Sequence, residues 1–465
     1  MYVASHKLHE LRQKLSSLEQ EFAHWRDLSK PNEPLRKHHT QIHRILGQLD
    51  TARQEIGVSV EALAARGGEL DGGVALQREI LAVHRIWDFF RSKLALRGDK
   101  LFGPYLAAID EFAWACYRRA QSRVSREHVH PDEIKEPPLV FFNGGRNPFT
   151  LPRKFAFWAE RVPLDEIKES KLLKILESLP VPVVGIPWYQ VRHLPDALAV
   201  AHEVGHVVMS DFGLTARVKA LLEGGLKRVP EGRCGAWRAW LKEVFADLYG
   251  VLAVGPAFVQ ALVDALAVAP SDVAAEHRTS GGWGRHPPAY LRVLLNVEAL
   301  AALGYAEEGA ELKEHWQAAY ASHSMVAFED DFCHVIGALL GGSFPELGDV
   351  RLADVISFDR EEHRKACADK ERLLAAEMPA AADDVRTVYA AARLAFSENP
   401  ARYREKGAHE LVMMKITKYM LTGGVRAARP SSKARDEYDR ARGRQLVAFL
   451  RGDVLRANEE APPRV

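Results

Sequence analysis

The stretch LAVAHEVGHVVM, residues 198–209, sets two histidines and a glutamate into an otherwise apolar window. The window predicts a helix near 196–211, on which His202 and His206 lie one turn apart on the same face and can grip one ion. Glu203 is displaced by about 100° from His202. There it can hydrogen-bond a metal-bound water without being a ligand, which is where a general base belongs. Zinc at an open site lowers the pKa of its water to about 7 and polarises a carbonyl oxygen, so the three residues point to hydrolysis by an activated water.

A site of this kind needs a third protein ligand. Downstream, WLKEVFADLYG at 240–250 again reads helical, with Glu243 and Asp247 one turn apart and flanked by Val, Phe, Leu and Tyr. Carboxylates seldom face apolar surroundings without a partner. Glu243 is therefore expected to complete the ligand set, and Asp247 to accept the free ring N–H of a ligand histidine and fix its tautomer. The plainer alternative is a pair of solvated acids on an amphipathic helix.

HEVGH at 202–206, EVFAD at 243–247 and HPPAYLR at 286–292 together resemble the HExxH, ExxxD and HPxxxxR motifs of gluzincins, specifically the peptidase family of the CAAX prenyl protease and the heat-shock protease HtpX. The resemblance covers roughly residues 180–300. It implies zinc ligands at His202, His206 and Glu243, one ion per chain, Glu203 as base, Asp247 orienting a ligand, and His286 and Arg292 approaching the cleft from a later helix, where either stabilises the oxyanion. For His286 and Arg292 the alternative is an ordinary helix start with Pro287 in its first turn. The resemblance also implies that residues 180–187 form an edge strand along which an extended peptide adds as a further strand. The chain departs from many members in lacking membrane helices and in its short spacing from His206 to Glu243, so a membrane substrate is not carried over.

Outward from this centre the chain reads as helix-rich. Residues 139–142 and 181–186 are short β-rich runs, and helices are predicted near 236–253, 288–303, 350–377, 381–396 and 433–456. Toward the amino terminus Leu8, Leu11, Leu15, Leu18, Phe22 and Trp25, then Ile42, Ile45, Leu49, Ala52 and Ile56, form two seams of an antiparallel hairpin. That hairpin either packs on the body or seats a protein partner. Gly67-Gly68 and Gly72-Gly73 mark a loop before a helical run over 74–124. The expected fold class is mainly α with a small β-sheet (α+β): a helical hairpin at 1–66, a helical layer at 74–136, a zincin-like metallopeptidase core at 137–345 and a helical region at 346–465. Trp188, Tyr189 and Trp283 are either cleft or core aromatics.

Composition is that of a globular protein, with 47% apolar and 27% charged residues and a formal net charge of +1, which supplies no global pull toward nucleic acid or anionic lipid. The Arg-rich stretch 426–456 carries interspersed acids and no nucleic-acid recognition motif, the pattern of a solvated helix face. Four scattered cysteines suggest neither a disulfide framework nor a thiolate metal site. The apolar run 244–269 is interrupted by Asp247, Gly255-Pro256 and Asp264, so no membrane span is expected. The opening MYVASHKLHELRQKL turns charged at once, and a cytoplasmic location is expected. The expected activity is that of a zinc-dependent peptidase, probed by two other readings: a helical interaction protein with a structural or silent zinc site, and another zinc amide hydrolase such as a deformylase, for which Cys116 and Cys234 lack the expected context.

Overall fold

The computed structural model describes residues 2–124, 135–145, 147–151, 180–273, 278–279, 282–320, 325–381, 384–421 and 433–451. Its principal elements are α1 (Tyr2–Leu28), α2 (His39–Ala65), α3 (Leu70–Ala95), α4 (Phe102–Val124), β1 (Leu139–Asn143), β2 (Phe149–Leu151), β3 (Val183–Pro187), α5 (Ala199–Asp211), α6 (Thr215–Leu226), α7 (Glu231–Val254), α8 (Pro256–Leu266), α9 (Ala289–Ala302), α10 (Ala306–Ala319), α11 (Phe332–Gly341), α12 (Arg360–Leu374), α13 (Val385–Glu398) and α14 (Lys433–Arg451). The fold is mainly α with a small β component, as the periodicity predicts. Among the described residues no helix is long and apolar enough to cross a membrane.

A three-stranded sheet of order β1-β3-β2 divides two apolar cores. β1 pairs parallel to β3 and β2 pairs antiparallel to it, with Thr150 opposite Val184. Successive side chains of a strand point to opposite faces. Leu139, Phe141 and Val183 therefore join the core of α1, α2, α3 and α14, while Val140, Phe142, Val184 and Ile186 join the core of α4 and the body. α3 and α4, neighbours in sequence, thus contribute to opposite cores. A strand buried on both faces needs no polar alternation, which is why these runs are continuously apolar.

The strand expected at an edge is instead the central one. β3 has β1 on one side and β2 on the other, so its backbone groups are spent within the sheet. The edges are β1 and β2, and β2, with three residues, is too short to stand out by periodicity.

α1 and α2 run antiparallel, as the pairs Arg12–Glu61, Arg53–Glu19 and Arg26–Asp50 show, and their seams are spent inside a bundle with α3 and α14. α14 lies along α2 with Leu446 and Val447 in the shared core, and its polar side is not simply solvated. Asp439 accepts from Arg44 (3.1 Å) and Gln48 (2.9 Å), and Arg435 pairs with buried Glu136. The rest of the Arg-rich stretch, 426–432 and 452–456, lies outside the described residues.

Two helices predicted as continuous are interrupted by caps. Asp99 Oδ1 accepts the N–H groups of Leu101 (2.7 Å) and Phe102 (2.9 Å), which ends the run from 74 and starts α4. Asp359 and Glu362 form a reciprocal capping box that starts α12 inside the stretch 350–377. Gly72 and Gly73, expected in a loop, lie in the first turn of α3.

Candidate metal centre

The centre is built where α5 crosses α7. Gly205 faces Ala246 and Tyr249, and a Cβ there would stand 2.9 Å from Tyr249 Cβ and 3.0 Å from Ala246 Cα. The missing side chain lets two backbones approach closely, which brings His202 and His206 on one helix against Glu243 on the other. His202 Nε2 lies 3.1 Å from His206 Nε2 and 3.3 Å from Glu243 Oε2, and His206 Nε2 lies 3.5 Å from Glu243 Oε1. Donors about 2.0–2.1 Å from a tetrahedral ion stand about 3.4 Å apart, so these three edges are those of a zinc-sized site. Among the described residues this is the group of ligand-type side chains close enough to share an ion.

Asp247, wholly buried, holds the arrangement from behind. Its Oδ1 accepts from His202 Nδ1 at 2.7 Å, which turns the Nε2 lone pair toward Glu243 and His206. Arg292 on α9 donates to the same carboxylate through Nε (2.6 Å) and Nη2 (2.8 Å), and Asn296, one turn later, donates at 3.2 Å. Burial opposes ionisation of Asp247, yet Arg292 and His202 hold it far below the ordinary carboxylate range.

The remaining shifts follow from the same crowding. Burial works against charge on His202, but Asp247 outweighs it and raises the imidazole to about 9 in the protein chain alone. His206, buried beside that charge, falls to about 3. Burial likewise opposes the Glu243 carboxylate, and the hydrogen bond from His202 overrides it to about 2. Two ring nitrogens 3.1 Å apart repel as facing lone pairs unless a proton or a cation lies between them. With neutral imidazoles, Glu203, Glu243 and Asp247 against Arg292 leave a formal charge of −2, which suits a divalent ion.

No family model, curated protein or solved structure matches the chain. What the centre does must therefore be argued from its own residues.

Glu203 is buried but stands apart from the three donors. The Thr150 hydroxyl donates to its Oε2 at 2.6 Å and sits 3.0 Å from its carbonyl oxygen. Burial raises its pKa, an effect moderated by His202 and by Thr150. The carboxylate is thus biased toward accepting a proton, which a base requires.

Both later residues of interest reach the site, in different ways. His286 Nε2 lies 3.5 Å from Glu243 Oε1 with its side chain 60% exposed, so it stands at the mouth. Arg292 is 12% exposed and engaged with Asp247, although its Nη2 also comes within 3.7 Å of Glu243 Oε2. Trp283 packs edge-on against Trp240 and Phe328, whereas Trp188 stacks on Phe142 and Tyr189 is largely exposed. Sequence reasoning missed Thr150 and Asn296. Asn296 carried a signal, because an amide i+4 from Arg292 in an apolar helix needs a buried partner. Thr150 carried none, since it meets Glu203 only through the sheet.

Proposed function

We propose that the protein is a zinc-dependent peptidase, in which His202, His206 and Glu243 hold one ion and Glu203 is the general base. The observation that carries this reading is the separation of roles around one point. Three donors converge at the edges of a single small site, and a fourth, buried carboxylate with a raised pKa is kept out of that set by Thr150. A purely structural zinc site prefers four protein ligands and needs no base beside them. The sequence resemblance to gluzincins in HExxH, ExxxD and HPxxxxR supports the same assignment.

Bound zinc would supply the Lewis acid and the acidified water of amide hydrolysis. The chain's own residues do the rest. Asp247, steadied by Arg292 and Asn296, fixes the orientation of His202, and Glu203 Oε2 takes the proton of the attacking water and returns it to the leaving amine. His286, exposed at the mouth near Glu243, is assigned to stabilising charge on the carbonyl oxygen, since the Nε and Nη2 of Arg292 are committed to Asp247. β2 pairs with β3 along one edge and touches Glu203 through Thr150. A peptide substrate is the class that the resemblance to gluzincins implies.

The test is zinc stoichiometry by elemental mass spectrometry together with turnover of a peptide pool. Wild type is expected to bind one zinc per chain and Glu243→Ala to lose most of it. Glu203→Gln should keep the metal and lose at least about 100-fold in kcat. A metal-free wild type, or a Glu203→Gln enzyme of normal turnover, would remove the proposal.

A further inference from the structure

Away from the metal centre, four segments enclose a cavity of about 740 Å³. Arg192 and His193 come from the turn after β3, Tyr105 from α4, and Phe396 from the end of α13. The fourth wall is the stretch 400–410, with Tyr403, Arg404, His409 and Glu410. Glu410 is the one acidic side chain in the lining, against two guanidinium groups and two imidazoles. Neither Arg192 nor Arg404 makes an ion pair or side-chain hydrogen bond among the described residues, so both forks are available to a ligand.

Two side chains of the lining carry a polar atom without a hydrogen-bond partner. Tyr403 is 5% exposed, yet its hydroxyl has no hydrogen-bond partner, and the same holds for the buried Nδ1 of His409. His409 Nε2 is meanwhile held 3.2 Å from the Tyr105 hydroxyl, which fixes the ring. The Tyr403 hydroxyl and His409 Nδ1 both lie beneath the wall and not on its surface, since neither is reached by solvent. The walls are also aromatic. Phe396 meets His193 edge-on at 4.6 Å and Tyr403 at 5.7 Å.

Paired guanidinium forks suit phosphate oxygens, flat aromatic walls suit a planar ring, and the volume lies within the range of pockets for small organic ligands. We propose that this cavity binds a phosphate-bearing small molecule of nucleotide size, with Arg192 and Arg404 on the phosphate. The proposal is independent of the metal centre, since none of its residues belongs to that site.

Isothermal titration of the full chain with ADP, inorganic phosphate and adenosine tests it. Saturable binding of ADP or phosphate with Kd below about 1 mM is expected, at least about tenfold weaker in the double variant Arg192→Gln/Arg404→Gln. Both arginines are exposed, so the variant should fold. The stronger of the two anions tells whether the aromatic walls take part. Absence of binding by both anions at millimolar concentration, adenosine binding as tightly as ADP, or full affinity retained in the double variant would overturn the assignment.

Discussion

Gly205 decides how far apart the two ligand-bearing helices stand, and it does so by having nothing to contribute. In HEVGH the eye goes to the histidines, but Ala246 and Tyr249 leave no room for a side chain on the residue between them. Gly205→Ala should separate α5 from α7 by tenths of an ångström, cost about 1–3 kcal/mol of stability and weaken zinc binding on the order of 10–100-fold. Thermal melting and a competitive zinc titration check the two effects separately; a variant that melts lower but binds zinc normally would show that the spacing is not critical. His202, His206, Glu243 and Asp247 were legible from helical spacing because each pair lies within one turn. Thr150 and the commitment of Arg292 to Asp247 were not, because they depend on how distant elements meet.

At the scale of elements, α14 packs closely on α2. A Cβ on Gly443 would stand 2.5 Å from Gln48 O and from Thr51 Cβ, so the two helices touch through backbone. Gly443→Ala is expected to destabilise this contact by about 1–3 kcal/mol, read as earlier urea unfolding of the bundle by hydrogen exchange in α2 and α14. If protection there were unchanged, the contact would be shown to yield easily. Helix and strand identities were readable wherever the apolar period ran long, as in α1, α2, α5 and α7. Their boundaries were less so. The capping signature Asp359-x-x-Glu362 was present in the sequence but outweighed by the continuous helical texture of 350–377, and β2 offers only three residues of pattern. The place of β3 in the middle of the sheet followed from β2 and was hidden for the same reason.

For the whole molecule, acid stability is set in part by histidines that fold into partly dry surroundings. His43 is lowered to about 4 by burial and by the nearby His39 and Arg26, and burial also lowers His84 and His363. Each has a folded pKa below the unfolded value near 6.5, so between the two values the unfolded chain binds more protons. The contribution of His43 is therefore full above pH 6.5 and is lost as pH falls toward 4, and those of His84 and His363 are likewise lost on acidification. His43→Gln should flatten the pH dependence of the melting temperature in that window, by on the order of 1 kcal/mol after solvent screening; parallel curves for wild type and variant would exclude His43 as a cause. The two-core arrangement itself was not legible, because the pairing of α2 with α14 spans 395 residues between Arg44 and Asp439 and leaves no local trace. That distance has a bearing on biosynthesis. At roughly 10 residues per second a ribosome needs about half a minute to pass from Ala95 to Lys433, and α1, α2 and α3 wait for about that long without the helix that covers them. α1, α2 and α3 are thus made long before they can become native, and a chaperone that shields apolar seams has its longest task on these three helices.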